Sequence, residues 1–186
     1  MRLQTPFRCS YFAILKGMFA IVRVRLKILI EGALSVALSI VLSYIKLFSL
    51  PQGGSVSLSM LPLIVFALRR GGVLGMTAGA AAGFMHIFLG GYIVHPLQAL
   101  LDYPVASAAL GLAGFFRSKK YSGIAVGVIA NMFSSVLSGV FFFSSYAPKG
   151  MNVWLYSVVY NGSAVIPEGI ICALLLCLVW PRIKNL

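Results

Sequence analysis

Residues 69–90 read RRGGVLGMTAGAAAGFMHIFLG: two arginines, then twenty uncharged residues dominated by glycine, alanine and large apolar side chains. Twenty helical residues reach about 30 Å, the thickness of a bilayer's hydrocarbon core. So much glycine weakens a helix in water, whereas in lipid small residues let helix backbones approach closely. The stretch is expected to be a packed inner helix of a membrane protein.

Similar runs lie on both sides of it. Gly, Pro and charge clusters divide the chain into six apolar stretches near 27–48, 56–69, 72–90, 98–116, 122–145 and 154–180. The second is the shortest and carries Pro62, so it is expected to be tilted, kinked or shielded by neighbours. The whole chain agrees with this reading. Of its 186 residues, 60% are apolar and 10% charged, and the mean hydropathy is +0.99. Soluble domains carry about a quarter charged residues, which excludes a water-soluble globule.

Fifteen Lys and Arg against three Asp and Glu give a net charge of +12. The cations sit in short clusters between uncharged runs, the pattern of cytoplasmic loops and not of a nucleic-acid surface. Arg2, Arg8, Lys16, Arg23, Arg25 and Lys27 precede the first run, and Arg69 and Arg70 follow the second. Arg117, Lys119 and Lys120 follow the fourth, and Arg182 and Lys184 the sixth. With six spans these fall on one face and leave Lys46 and Lys149 on the other. An odd number would scatter them. The expected fold is an all-α integral membrane protein of six transmembrane helices with both termini cytoplasmic. Residues 1–22 read as a basic interfacial extension in which Met18 offers an alternative start, and residues 23–186 as one transmembrane domain.

The three acids differ in setting. Glu31 lies within reach of the run Arg23 to Lys27, where a cation and the interface relieve its charge. Asp102, in HPLQALLDYP, has no cation nearby in sequence, and an ionisable group at membrane depth is a functional candidate by default. Glu168 lies inside the last run, after Pro167, placed to pair with another helix or a cytoplasmic cation. His86 and His95 lack the spacing and companions of a metal site. No nucleophile elbow, phosphate-binding glycine loop or paired carboxylates occur, so neither catalysis nor a cofactor is expected. Cys9, Cys172 and Cys177 read as free thiols.

The side opposite the cations is rich in aromatic and amide groups: Tyr92, Tyr103, Phe143, Tyr146, Trp154, Tyr156, Tyr160 and Asn161. Interfacial aromatic belts explain part of this. Grouped with Asp102, these residues also form the type of box that holds a small, planar organic cation.

The stretches PQGGSVSLSMLPL, FALRRG, HPLQALLDYPVA, SGVFFFSSYAPKGMNVWLYSVVYNGS and IPEGII closely resemble the thiamine-specific substrate-binding subunit (S component) of energy-coupling factor transporters, the YuaJ-type thiamine transporter family. The resemblance covers roughly residues 27–180. It implies a bacterial plasma-membrane protein that binds thiamine from outside and delivers it with a transmembrane coupling subunit and two ATPases, which bind the ATP. The family's pocket residues fall on Tyr92, Asp102, Tyr103, Tyr156 and Asn161. Three positions depart from the pattern: Ser135 stands for a pocket His, Phe143 for a stacking Trp, and Asp102 for Glu. A thiamine precursor or analogue is therefore a second ligand candidate. Ala33 and Ala37 match an AxxxA motif with which the family docks on its coupling subunit; alone, such a motif equally suits internal packing. The rival function is a solitary proton-coupled transporter of thiamine or a precursor, with Asp102 or Glu168 carrying the proton. No inverted repeat or pair of broken helices favours it.

Overall fold

The computed structural model describes residues 7–49 and 55–183, with side chains for 22–49 and 55–182. The elements are α1 (Phe7–Tyr44), β1 (Phe48–Ser49), β2 (Ser55–Val56), α2 (Met60–Arg70), α3 (Gly72–Phe88), α4 (Pro96–Leu100), α5 (Ala106–Ala109), α6 (Lys120–Phe142) and α7 (Val153–Ile183). A π-helical turn, Leu101–Val105, joins α4 to α5, and 3₁₀ turns follow α5 (Leu110–Phe116) and α6 (Ser144–Tyr146). The chain divides into two compact units between Glu31 and Gly32. The first is helical from Phe7, and among its described side chains Val22, Val24, Leu26, Leu29 and Ile30 are exposed. The second holds everything from Gly32 onward. The Gly53-Gly54 pair and the side chain of Cys9 lie outside the described residues.

Four helical stretches are long and apolar enough to cross a membrane: Val22–Tyr44, Pro96–Phe116, Lys120–Phe142 and Val153–Arg182. The third expected run forms a shorter apolar helix, Gly72–Phe88. The second forms only 11 helical residues, Met60–Arg70, and not the expected helix from 56. Its first residues instead pair as a strand, Val56 opposite Phe48 and Ser55 opposite Ser49. Non-helical backbone at membrane depth persists where protein satisfies it. Here Ser39 Oγ donates to the Ser59 carbonyl at 2.8 Å. Glu168 Oε1 accepts from Ser57 Oγ at 3.1 Å, Ser59 Oγ at 3.0 Å and the Met60 N–H at 3.3 Å. Glu168 thus acts as a remote cap on α2, placing a hydrogen-bond acceptor at the positive end of a helix that starts inside the protein.

In α3 the small residues Gly75, Ala78, Gly79, Ala82 and Gly83 recur at helical spacing and are buried. A side chain at Gly79 would strike the Ser107 carbonyl, and one at Gly83 the backbone of Tyr103 and Pro104. The α3 backbone therefore lies directly on the 96–116 helix and sets the height of Tyr103.

That helix is irregular for a local reason. Pro104 has no N–H to donate, and Leu101–Val105 relax into a π turn. Side chains of α6 take up carbonyls along it: Ser134 Oγ donates to the Leu101 carbonyl at 2.7 Å and Asn131 Nδ2 to that of Ala106 at 2.8 Å.

The cationic loops meet at one end of the second unit. Arg117 donates to the carbonyls of Leu68 and Arg69, closing the C-terminus of α2 with a cation where the helix dipole favours one. Lys120 lies 5.7 Å from the ring centre of Trp180. Cys172 is buried and Cys177 exposed, both as free thiols.

Candidate functional site at the aromatic end

At the other end, the turn after α3 brings two halves of the site together. Gly90 has φ +107°, a conformation that favours glycine, and a Cβ on Gly91 would lie 2.9 Å from Tyr103 Cζ. The phenol of Tyr103 therefore reaches the loop backbone, where its oxygen accepts the Tyr92 N–H at 2.7 Å.

Asp102 sits one residue earlier, in the π turn; such turns are frequent at functional sites. Its Oδ2 accepts Gln98 Nε2 at 2.6 Å. Ser138, on α6, is fully buried and its hydroxyl lies beside the carboxylate without completing a hydrogen bond. Asp102 is itself half-buried.

An aromatic group adjoins this carboxylate. Tyr92 stacks on Phe143 with ring centres 6.3 Å apart, and Phe143 meets Tyr146 at 6.0 Å. The hydrogen bond between the Tyr92 and Tyr146 hydroxyls pushes the Tyr92 phenol above its ordinary range. On α7, Tyr156 stacks with Tyr160 at 6.0 Å.

Asn161 is held by the α6–α7 contact. Its Nδ2 donates to the Ser157 carbonyl at 3.0 Å and reaches the Ser135 carbonyl at 3.4 Å, leaving the amide oxygen to act as acceptor. A Cβ on Gly139 would collide with Ser157 Oγ, so close packing of the two helices fixes this geometry. Ser135 enters through its main chain. His95 caps α4, its Nδ1 accepting the Leu97 N–H at 3.1 Å, and stacks on Phe142. Ala33 and Ala37 are both exposed on α1.

The structure therefore groups Tyr92 with Tyr103 and Phe143, and Asn161 with Ser135. It also brings in residues the sequence reading did not single out, chiefly Gln98 and Ser138. Gln98 carries a readable signal, its position four residues before Asp102 on a helix. Ser138 belongs to a polar stripe with Asn131 and Ser134 at spacings of three and four on an apolar helix. Among the described residues no group of three His, Cys, Asp or Glu gathers to hold a metal. Carboxylate, aromatic faces and amide together suit a small cation with N–H donors.

The profile of the family described as "Thiamine transporter protein (Thia_YuaJ)" matches residues 29–186. The chain belongs to this thiamine transporter family. The thiamine transporter ThiT of Bacillus subtilis (strain 168) is 39% identical over 171 residues, which cover 82% of this chain and 89% of that protein. ThiT of Lacticaseibacillus paracasei is 32% identical over 162 residues, 76% of this chain and 81% of that one. A solved structure of ThiT from Listeria monocytogenes superposes with a TM-score of 0.79 at 28% identity, covering 87% of this chain and 97% of that chain. Family members of this kind are transporters and not enzymes, and the chain is a multi-pass protein of the bacterial plasma membrane.

Proposed function

We propose that this chain is a thiamine-binding S component of an energy-coupling factor transporter. In this reading it crosses the membrane six times, both termini are cytoplasmic, and the basic end faces the cytoplasm. Thiamine enters from outside and is held by Asp102, Tyr92, Tyr103, Ser135, Phe143, Tyr156 and Asn161. The observation that carries the reading is Asp102 in its π turn, hydrogen-bonded by Gln98 at the end away from the basic loops. A carboxylate there suits the donor-bearing aminopyrimidine of thiamine, and the aromatic faces suit its cationic thiazolium. Phe143 offers a weaker face than a Trp, so stacking is retained in reduced form.

Delivery would need a transmembrane coupling subunit and two ATPases, since this chain carries no nucleotide-binding motif of its own. Ala33 and Ala37, four apart and exposed on α1, suit close approach by a partner helix.

The test is the affinity of purified Asp102→Asn protein for thiamine. Loss of one charge-assisted hydrogen bond should weaken binding by about 1.5–3 kcal/mol, one to two decades. Glu31→Gln should leave it unchanged. Equal effects of the two substitutions would remove Asp102 from the site.

A further inference from the structure

We propose that Gln98 is the positioning residue of the ligand site: it fixes Asp102 as a hydrogen-bond acceptor and ties it to the loop bearing Tyr92. Ligand capture and ordering of that loop are then one event. The inference rests on the reading of the site as a thiamine site.

Gln98 is 2% exposed, so its amide must be satisfied by protein. The Val94 N–H, which can only donate, points at one branch of the amide at 3.0 Å. That branch must be the carbonyl oxygen. The other branch is then the NH₂, and its two hydrogens go to the Tyr92 carbonyl at 3.2 Å and to Asp102 Oδ2 at 2.6 Å. Oδ2 receives a donor and has no use for a proton of its own. The second carboxylate oxygen remains for a ligand that brings N–H donors. Any ligand that draws on Asp102 pulls on an amide whose other two bonds hold residues 92 and 94.

Gln98→Glu tests this, with thiamine as the probe and the purified full chain in detergent. The introduced carboxyl can replace the amide only while it keeps a proton to share with Asp102, because two carboxylates so close cannot both ionise without repulsion. Thiamine affinity of the variant should therefore fall at least about tenfold between about pH 6 and about pH 9, relative to the unmodified chain. The other titratable groups facing this region, Tyr92, Tyr103, Tyr146 and His95 with Tyr156 and Tyr160 on α7, are present in both proteins, so the comparison is made relative to the unmodified chain at each pH. A residue that merely fills space would give a loss independent of pH.

A flat profile, or tighter binding at high pH through an added negative charge, overturns the role of Gln98 while leaving the thiamine site standing. Failure of the unmodified chain to bind thiamine overturns both. If the variant does not fold, hydrogen exchange on the unmodified chain decides. Thiamine should slow exchange of the Val94 amide, which donates to Gln98, at least about tenfold, and unchanged exchange overturns the coupling.

Discussion

Replacing Glu168 with leucine should destabilise the protein by about 2–3 kcal/mol, the usual consequence of leaving buried donors without an acceptor. The carboxylate, 4% exposed, gathers Ser57, Ser59 and the first N–H of α2. Leucine fits the volume but accepts nothing, leaving these donors in a region with little water to replace it. Glu168→Gln keeps one carbonyl oxygen as acceptor and should lose about half as much. Thermal unfolding in detergent, compared with the unmodified chain, checks the order: leucine worst, glutamine intermediate. A leucine variant as stable as the unmodified chain would show that α2 needs no cap.

The second large effect concerns transport and not binding. Ala33→Trp together with Ala37→Trp should abolish thiamine uptake in cells that carry the coupling subunits, while the purified double variant binds thiamine as the unmodified chain does. Both alanines are exposed and lie on one stripe of the helix. The neighbouring face is the one in contact with the rest of its unit: Ser39 donates to Ser59, and a Cβ on Gly32 would lie 3.2 Å from Phe66. Two indoles would hold a partner helix off without entering that contact. Uptake at the unmodified rate would show that docking occurs elsewhere, and loss of binding as well would make the stripe part of internal packing.

Much of this architecture is legible in the sequence because lipid imposes long uncharged runs and gathers cations in the loops between them. Asp102 stands out for the same reason, as an ionisable group in an apolar stretch. The start of α2 is not legible. Its cap, Glu168, lies 108 residues from Met60, and no local pattern in 56–60 announces a partner on the last helix. The π turn is half legible: Pro104 signals a disturbance, but its extent depends on Ser134 and Asn131 supplying donors from α6. The i, i+4 spacing of Gln98 and Asp102 is legible, but the tie from Gln98 to the 92–94 loop is not, because it forms only when that loop folds over the amide.

In the proposed function, the aromatic end with Asp102 binds thiamine. The most direct measurement is titration calorimetry of the purified chain with thiamine, repeated with Asp102→Asn and with a vitamin that carries no positive charge. One saturable site for thiamine, weakened about ten- to a hundredfold by the substitution and silent toward the uncharged vitamin, is the predicted result. Absence of saturable heat with thiamine, or equal binding of the uncharged vitamin, would contradict it.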